Sequence, residues 1–254
     1  MASADRPRAG MPLPDLLDIA IGAARAGGAL LRERGHGSYA GAGIGARDIK
    51  LAEDKLSEDC IIAYLRERSD LSVLSEEGGW RFGGASDTGP YWVVDPLDGS
   101  FNYYRGIPLC CTSVALCSGM QPLLGAIYDF NRDELFAGGQ NLGVTVNGTQ
   151  VAGIAARSEI LATGFPVRGN HDESAVRAIV AQTASWKKIR MLGSAALSLA
   201  WVAAGRIDGY EERGIMLWDV AAGIALSQAN GYTATIDGSA ADEPLDVRVS
   251  ARVI

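Results

Sequence analysis

The chain has 254 residues, 48% of them hydrophobic and 21% charged, which is typical of a folded globular protein and excludes a disordered chain. The formal net charge of −7 weighs against a nucleic-acid polymer or an anionic membrane surface as the main partner, because both bind clustered lysine and arginine. A small anionic substrate is compatible with this charge, since bound cations can reverse the local field of a carboxylate-lined site.

Residues 1–14 contain Pro, Arg and Asp but no continuous apolar segment, so they predict a mobile leader rather than a secretory signal. A cytoplasmic protein without a membrane span is therefore expected. Residues 15–254 are interpreted as one folded unit with approximate halves at 15–150 and 151–254.

Two helices are predicted first: apolar residues recur with helical spacing from Leu16 to Leu31, ending near Gly35, and again from Ala52 to Arg68. The segment G-A-G-I-G-A at 41–46 between them formally fits a dinucleotide-binding pattern. No apolar strand precedes it, so a glycine-rich loop is the favoured interpretation.

The middle third predicts strands, with Asn147-Gly148 as a hairpin turn. The strands are expected at 72–74, 91–94, 112–117, 124–128, 134–137 and 144–146. Helices near 173–184, 195–204 and 220–229 then alternate with strands near 189–191 and 207–211. An antiparallel centre followed by alternating elements favours an α+β arrangement of layered sheets and helices over an all-parallel doubly wound sheet.

The segment W-V-V-D-P-L-D-G-S, residues 92–100, is an apolar strand that leads into a turn with two carboxylates. Pro96 fixes one backbone angle and Gly99 allows conformations closed to other residues, so Asp98 can fold back toward Asp95. Two anions held this close require a cation, and Mg²⁺ prefers oxygen ligands. A surface turn is the alternative, because Asp, Pro and Gly are common turn formers.

Three further segments carry carboxylates: S-E-E-G-G with Glu76, W-D-V-A-A-G with Asp219, and the start of the early helix with Asp54. Together with D-P-L-D-G-S, their order and spacing resemble the inositol monophosphatase superfamily from about Leu16 to Ser250. The resemblance implies a layered α-β-α-β-α sandwich, two to three Mg²⁺ ions, sensitivity to lithium and a homodimer.

By position, Glu76, Asp95 and the carbonyl of Leu97 resemble the ligands of a first metal ion. Asp95, Asp98 and Asp219 resemble those of a second ion, and Glu76 would also hold a third, weaker ion through water.

The resemblance also implies that Ser100, backed by Asp54, orients the attacking water. Serine stands where the family has threonine, and K-L-A-E-D replaces the usual V-T-x-x-D lead-in to Asp54. A role as the N-cap residue of the early helix is the competing interpretation for Asp54.

Substrate groups are expected from four places. The amides at Gly99 and Ser100 are candidates for phosphate, Ser194 and Ala195 resemble a segment that faces the substrate ring, and Glu212 resembles a carboxylate that accepts from ring hydroxyls. Close helix packing explains the small residues near Ser194 equally well, and a solvated charged turn is the alternative for Glu212. Arg190 is a candidate to bind a second phosphate or carboxylate of the substrate; the alternative is an exposed arginine at a strand end.

The resulting hypothesis is a Mg²⁺-dependent phosphomonoesterase that hydrolyses a small hydroxyl-rich ester, such as an inositol monophosphate or a sugar phosphate, by metal-activated water. The alternatives are a pathway-specific phosphatase of a nucleoside or unusual sugar phosphate, and a 3′-phosphoadenosine phosphate phosphatase. A different class, a non-catalytic metal-binding relative, also stays open.

Overall fold

The computed structural model describes residues 11–35, 43–44, 49–84, 89–151, 158–165 and 173–251. The first ten residues of the predicted leader and most of the G-A-G-I-G-A segment lie outside this range. Among the described residues, no helix is both long and apolar enough to cross a bilayer.

The described residues contain both helices and strands, with a long run of strands in the middle of the chain. The helices are α1 (Leu13–Arg34), α2 (Ala52–Arg68), α3 (Ser100–Arg105), α4 (Glu173–Thr183), α5 (Ala195–Ala203) and α6 (Leu217–Ala229). The strands are β1 (Gly43–Ile44), β2 (Ile49–Lys50), β3 (Val73–Ser75), β4 (Gly79–Arg81), β5 (Pro90–Asp98), β6 (Cys111–Ser118), β7 (Gln121–Asp129), β8 (Glu134–Gly139), β9 (Gly143–Val146), β10 (Thr149–Gln150), β11 (Ile160–Ala162), β12 (Lys188–Arg190), β13 (Gly209–Ile215), β14 (Tyr232–Asp237) and β15 (Leu245–Ala251).

An eight-stranded sheet has the order β10-β9-β8-β7-β6-β5-β3-β4. Its pairings are antiparallel except for β3 with β5, which run parallel. A five-stranded sheet has the order β12-β11-β13-β15-β14, with β11 parallel to both β12 and β13. The division of the chain into two halves stays a prediction.

Strand β5 is buried on both faces, which explains its continuous apolar run. Trp92 and Val94 pack into the cluster that includes α1 and α2, whereas Tyr91 and Val93 pack into the cluster that includes α5 and α6. The second cluster also contains Val247 and other residues of the five-stranded sheet. Helices and sheets therefore stack in alternate layers, and the predicted α-β-α-β-α sandwich is confirmed.

The predicted helices all occur, and α2 has the predicted bounds. The hairpin at Asn147-Gly148 is confirmed, with both residues at positive φ between β9 and β10. Seven elements of the described residues were not predicted: β1, β2, β4, α3, β11, β14 and β15. The strand predicted at 207–211 ended too early, because β13 continues to Ile215.

Small residues bring α6 close to the eight-stranded sheet. A Cβ atom on Gly125 of β7 would lie 2.5 Å from the Cα atom of Ala222 in α6, and one on Gly223 would lie 2.2 Å from the Cβ atom of Leu199 in α5. These distances are too short for real contacts, so the A-A-G part of W-D-V-A-A-G permits packing that larger side chains would block. That packing also fixes the position of Asp219 at the start of α6.

We predict that Gly125→Ala lowers the free energy of unfolding by about 1–3 kcal/mol, the usual cost of overpacking a buried contact. Urea unfolding monitored by circular dichroism measures the change. Gly89→Ala is the matched control: a Cβ atom there meets nothing within 4 Å, so a change within about 0.5 kcal/mol is expected. Equal stabilities of the two variants would contradict the packing argument.

Candidate active site

A cleft of about 420 Å³ opens where the carboxyl end of β5 meets the amino-terminal ends of α3, α5 and α6 and one face of β13. Five acidic side chains line this cleft: Glu76, Asp95, Asp98, Glu212 and Asp219. The structure thus brings together carboxylates that are up to 143 positions apart in the chain, between Glu76 and Asp219.

The turn after β5 holds the first two carboxylates. Asp95 is buried and its Oδ1 atom accepts a hydrogen bond of 3.0 Å from the amide of Leu97. Gly99 adopts φ +89°, and a Cβ atom there would lie 2.8 Å from the carbonyl oxygen of Leu109. Both the positive φ angle and the close approach of the Leu109 carbonyl require glycine at this position. The chain can therefore turn directly into α3.

Asp98 is anchored at the start of α5. Its Oδ2 atom accepts from the Ser194 hydroxyl at 2.6 Å and from the Ala196 amide at 2.7 Å, while Oδ1 accepts from the Ala195 amide at 3.3 Å. Ser194 also accepts from the Leu197 amide as the N-cap of this helix. Its hydroxyl is thus engaged by Asp98 and by helix capping, and contact of Ser194 and Ala195 with substrate stays a prediction.

Asp54 and Asp219 are held in the same way at the starts of two different helices. Each is the third residue of its helix, and its Oδ2 atom accepts from the backbone amide of the N-cap residue, at 2.6 Å from Leu51 and 3.0 Å from Met216. This half of a capping box uses one carboxylate oxygen and leaves the other available. The predicted N-cap role for Asp54 is therefore wrong, because Leu51 is the N-cap residue and Asp54 accepts from its amide as the third residue inside the helix.

The second oxygen of Asp54 contacts the site through Ser100. The Ser100 hydroxyl lies 3.1 Å from Asp54 Oδ1 and 2.9 Å from the carbonyl oxygen of Leu97. A hydroxyl has one proton, so it donates to one of these acceptors at a time. The carbonyl oxygen of Leu97 thus competes with the Asp54 carboxylate for the Ser100 proton. Leu97 is a predicted metal ligand, and Asp54 is the predicted partner of Ser100.

Two further residues of α2 hold neighbouring segments. Ser57 donates to the carbonyl oxygen of Pro96 at 2.7 Å, and the buried Glu58 accepts from Ser75 at 2.5 Å and from Arg81 at 2.9 Å. Ser75 precedes Glu76, so Glu58 ties the segment that carries this carboxylate to α2. These contacts of Ser57 and Glu58 were not predicted from the sequence.

Glu212 lies inside β13 and is buried, so the alternative of a solvated charged turn is wrong. Its Oε2 atom accepts from the Tyr210 hydroxyl at 2.7 Å. A Cβ atom on Gly164 would lie 2.1 Å from Glu212 Oε1, so a larger residue there would displace the Glu212 carboxylate. The neighbouring Glu211 instead pairs with Arg248 at 2.8 Å.

Arg190 ends β12 with an exposed side chain that donates to the carbonyl oxygen of Ile189, and it is absent from the described residues that line the cleft. Its contact with a second anionic group stays a prediction. Glu76 does line the cleft, beside the three aspartates.

Asn102 and Thr163 to Phe165 were missed as parts of the site. The Asn102 side-chain amide donates to the carbonyl oxygens of Leu109 at 2.7 Å and Leu192 at 2.8 Å, which ties α3 to the segment before α5. Thr163, Gly164 and Phe165 line the cleft directly after β11. The short apolar run Ile160–Ala162 was the signal for that strand.

The carboxylates fit a divalent cation. Asp95, Asp98 and Asp219 each offer one oxygen atom, and these atoms lie within 4.8 Å of one another. Burial, followed by repulsion from neighbouring carboxylates, raises the pKa of Asp95 and Glu76 well above the ordinary range. The same causes raise the pKa of Asp219 to about 8. Hard oxygen donors that repel one another are the ligands expected for such a cation.

Layered sheets and helices with a carboxylate cleft at their ends fit a metal-dependent hydrolase, and similarity to known proteins identifies the class. The model of the Inositol monophosphatase family matches residues 13–252, so the chain belongs to this family and is a phosphoric monoester hydrolase. The chain is 38% identical over 235 residues to an inositol-1-monophosphatase of Mesorhizobium japonicum, covering 88% of this chain and 86% of the relative.

Two other similarities span most of the chain. It is 34% identical over 231 residues to the Nus factor SuhB of Escherichia coli K12, covering 88% of this chain and 86% of the relative. Among solved structures, an inositol monophosphatase from Anabaena (Nostoc) superposes with a TM-score of 0.78 at 34% identity, covering 94% of this chain and 92% of that one.

We predict that the metal-free protein becomes more stable as the pH falls from 8 to 6. The pKa of Asp219 is raised from its ordinary value of 3.8 to about 8 in the folded state, so its contribution to stability is present at low pH and is lost as pH rises toward 8. Mg²⁺ should therefore raise the melting temperature more at pH 8 than at pH 6.

Differential scanning fluorimetry with chelator or Mg²⁺ measures both effects. Asp219→Asn should weaken the pH dependence, whereas Asp59→Asn, an exposed carboxylate of α2, should leave it unchanged. A metal-free melting temperature that rises between pH 6 and pH 8 would exclude strong repulsion in this cleft.

Proposed function

We propose that the protein is a Mg²⁺-dependent phosphomonoesterase that hydrolyses a small hydroxyl-bearing ester by direct attack of water. The observation that carries the proposal is the group of Asp95, Asp98 and Asp219 oxygens in one cleft with the Ser100–Asp54 hydrogen bond. Mg²⁺ bound there would supply the positive charge that neutralises a phosphate dianion and promotes ionisation of water.

The proposed roles follow from the contacts. Asp95, Asp98 and Asp219, with Glu76 and the Leu97 carbonyl, hold the ions. When the Ser100 proton points to Asp54, the Ser100 oxygen is free to accept from the attacking water and so orients it. Gly99 and Ser100 start α3 beside this position and are proposed to contact the phosphate.

Glu212 is proposed to recognise the alcohol part of the ester. Burial raises the pKa of Glu212 to about 7, and one of its oxygens already accepts from Tyr210. The backbone amide of Gly164 also donates to this carboxylate. Glu212 lines the cleft, where a substrate hydroxyl would add a further hydrogen bond. Lithium sensitivity and a cytoplasmic homodimer are further expectations of family membership, and analytical ultracentrifugation measures the assembly.

Phosphate release with and without Mg²⁺ tests the reaction. The panel holds inositol 1-phosphate, fructose 1,6-bisphosphate, 3′-phosphoadenosine 5′-phosphate and nucleoside monophosphates. We expect release that requires Mg²⁺, stops with excess chelator and is inhibited by Li⁺. Absence of release from every ester would favour a non-catalytic role, as the name Nus factor of the Escherichia coli relative suggests for that protein.

Asp219→Asn should lower kcat about a hundredfold or more at saturating Mg²⁺, because it removes charge that acts in the transition state. Urea unfolding should show a much smaller effect. The control is Asp237→Asn, an exposed carboxylate at the end of β14, which should keep normal kcat. Near-normal kcat in Asp219→Asn would contradict the proposed ligand.

Glu212→Gln should lower kcat/KM for a polyol phosphate by roughly 5- to 150-fold, since it weakens charge-assisted hydrogen bonds by about 1–3 kcal/mol. A plain aryl phosphate offers no hydroxyl, so its loss should be small. Glu211→Gln makes the same chemical change one residue away, in a side chain paired with Arg248, and serves as control. An equal loss on both esters with a raised Mg²⁺ requirement would place Glu212 with the metal ligands instead.

A further inference from the structure

Exposed apolar side chains form part of the wall of the cleft. Among the described residues, large hydrophobic side chains that are exposed by more than a third are few, and two of them, Phe101 at 43% and Phe165 at 44%, line the cleft. Two more, Ile107 and Met191, belong to the segments that Asn102 ties together. Exposed aromatic side chains inside a cleft are typical of a binding site.

The aromatic rings alternate with the polar groups of the site. Phe101 follows Ser100, Phe165 follows Gly164, which contacts Glu212, and Trp218 precedes Asp219; all three rings line the same cleft. If the phosphate of a ligand lies at the carboxylates and its hydroxyl reaches Glu212, the rest of the ligand therefore contacts these aromatic side chains.

The chemistry of these rings restricts the rest of the ligand. A fully hydroxylated ring keeps its hydroxyls hydrated and gains little from apolar faces. A planar apolar group removes both its own surface and the phenylalanine rings from water and stacks favourably on them.

We propose that the alcohol part of the substrate carries a planar aromatic or heteroaromatic group, which packs on Phe101 and Phe165 in the cleft. This inference rests on the proposed phosphomonoesterase function and specifies the substrate class of the same site. It distinguishes the preferred ester from simple polyol and sugar phosphates, which lack such a group.

Two matched pairs of esters test the proposal. Adenosine 5′-monophosphate differs from ribose 5-phosphate by its planar base, and 2-phenylethyl phosphate differs from ethyl phosphate by its ring. In at least one pair, the wild-type kcat/KM should favour the ring-bearing ester about tenfold or more, the size expected for stacking on aromatic side chains. A ratio close to one in both pairs would overturn the proposal.

Variants assign the preference to the two rings. In the pair that shows the preference, the double variant Phe101→Ala, Phe165→Ala should bring the ratio of kcat/KM values to within about twofold of one. The single variants measure how much each ring contributes to the preference. Tyr at both positions keeps a planar face and should preserve the preference, whereas Leu keeps apolar volume and should not. A preference that persists in the double alanine variant would overturn the assignment.

Phe82→Ala is the matched control, since Phe82 is 54% exposed but packs under Arg66 outside the cleft. It should leave the ratio unchanged. Failure of all esters to release phosphate would remove the proposed function itself. If the double alanine variant instead alters the sedimentation of the protein and not the ratio, the two rings join two copies of the chain and the proposal is wrong.

Discussion

Repulsion among buried carboxylates is the constraint on which the site depends. Taking several acidic groups out of water raises their pKa and opposes folding unless other groups offset their charge. The described structure supplies backbone amides for this purpose: from Leu97 to Asp95, from Ala195 and Ala196 to Asp98, and from Met216 to Asp219. Three of these four hydrogen bonds, those from Ala195, Ala196 and Met216, lie at helix amino termini, where the helix dipole favours negative charge. The fold thus holds the carboxylates in place, and a cation completes the neutralisation.

Packing between small residues makes this arrangement possible. Because Gly125 allows Ala222 to approach β7 closely, the first turn of α6 reaches the cleft at the end of β5. The same helix carries Asp219 three residues before Ala222. One motif therefore contains both a proposed metal ligand and the small residues that allow the helix to pack closely. Stability and metal binding therefore constrain the same few positions, and substitutions in W-D-V-A-A-G affect both.

Local patterns predicted the fold and the carboxylates better than the contacts between them. The turn at Asp95 and Asp98 could be inferred because Pro and Gly restrict the backbone over a few residues. Strand β15 was missed although Leu245, Val247 and Val249 alternate with polar residues, which is a period-two signal. The contacts of Asn102 with Leu192 and of Glu58 with Arg81 could not be predicted, because they join segments whose approach depends on the tertiary fold. A solvated turn stayed open as the alternative for Glu212 because its two charged neighbours conceal a buried position within β13.

Helix α2 explains why separate segments act as one site. Asp54, Ser57 and Glu58 follow the i, i+3, i+4 spacing of a single helix face, and each contacts a different part of the site. Asp54 meets Ser100 after the turn, Ser57 holds the Pro96 carbonyl within it, and Glu58 holds Ser75 beside Glu76. Since the apolar face of α2 packs against α1 and β5, its position is determined by the core. Any displacement of α2 would move these three contacts together, so the geometry of the cleft is coupled to the packing of the first layer rather than to the turn sequence alone.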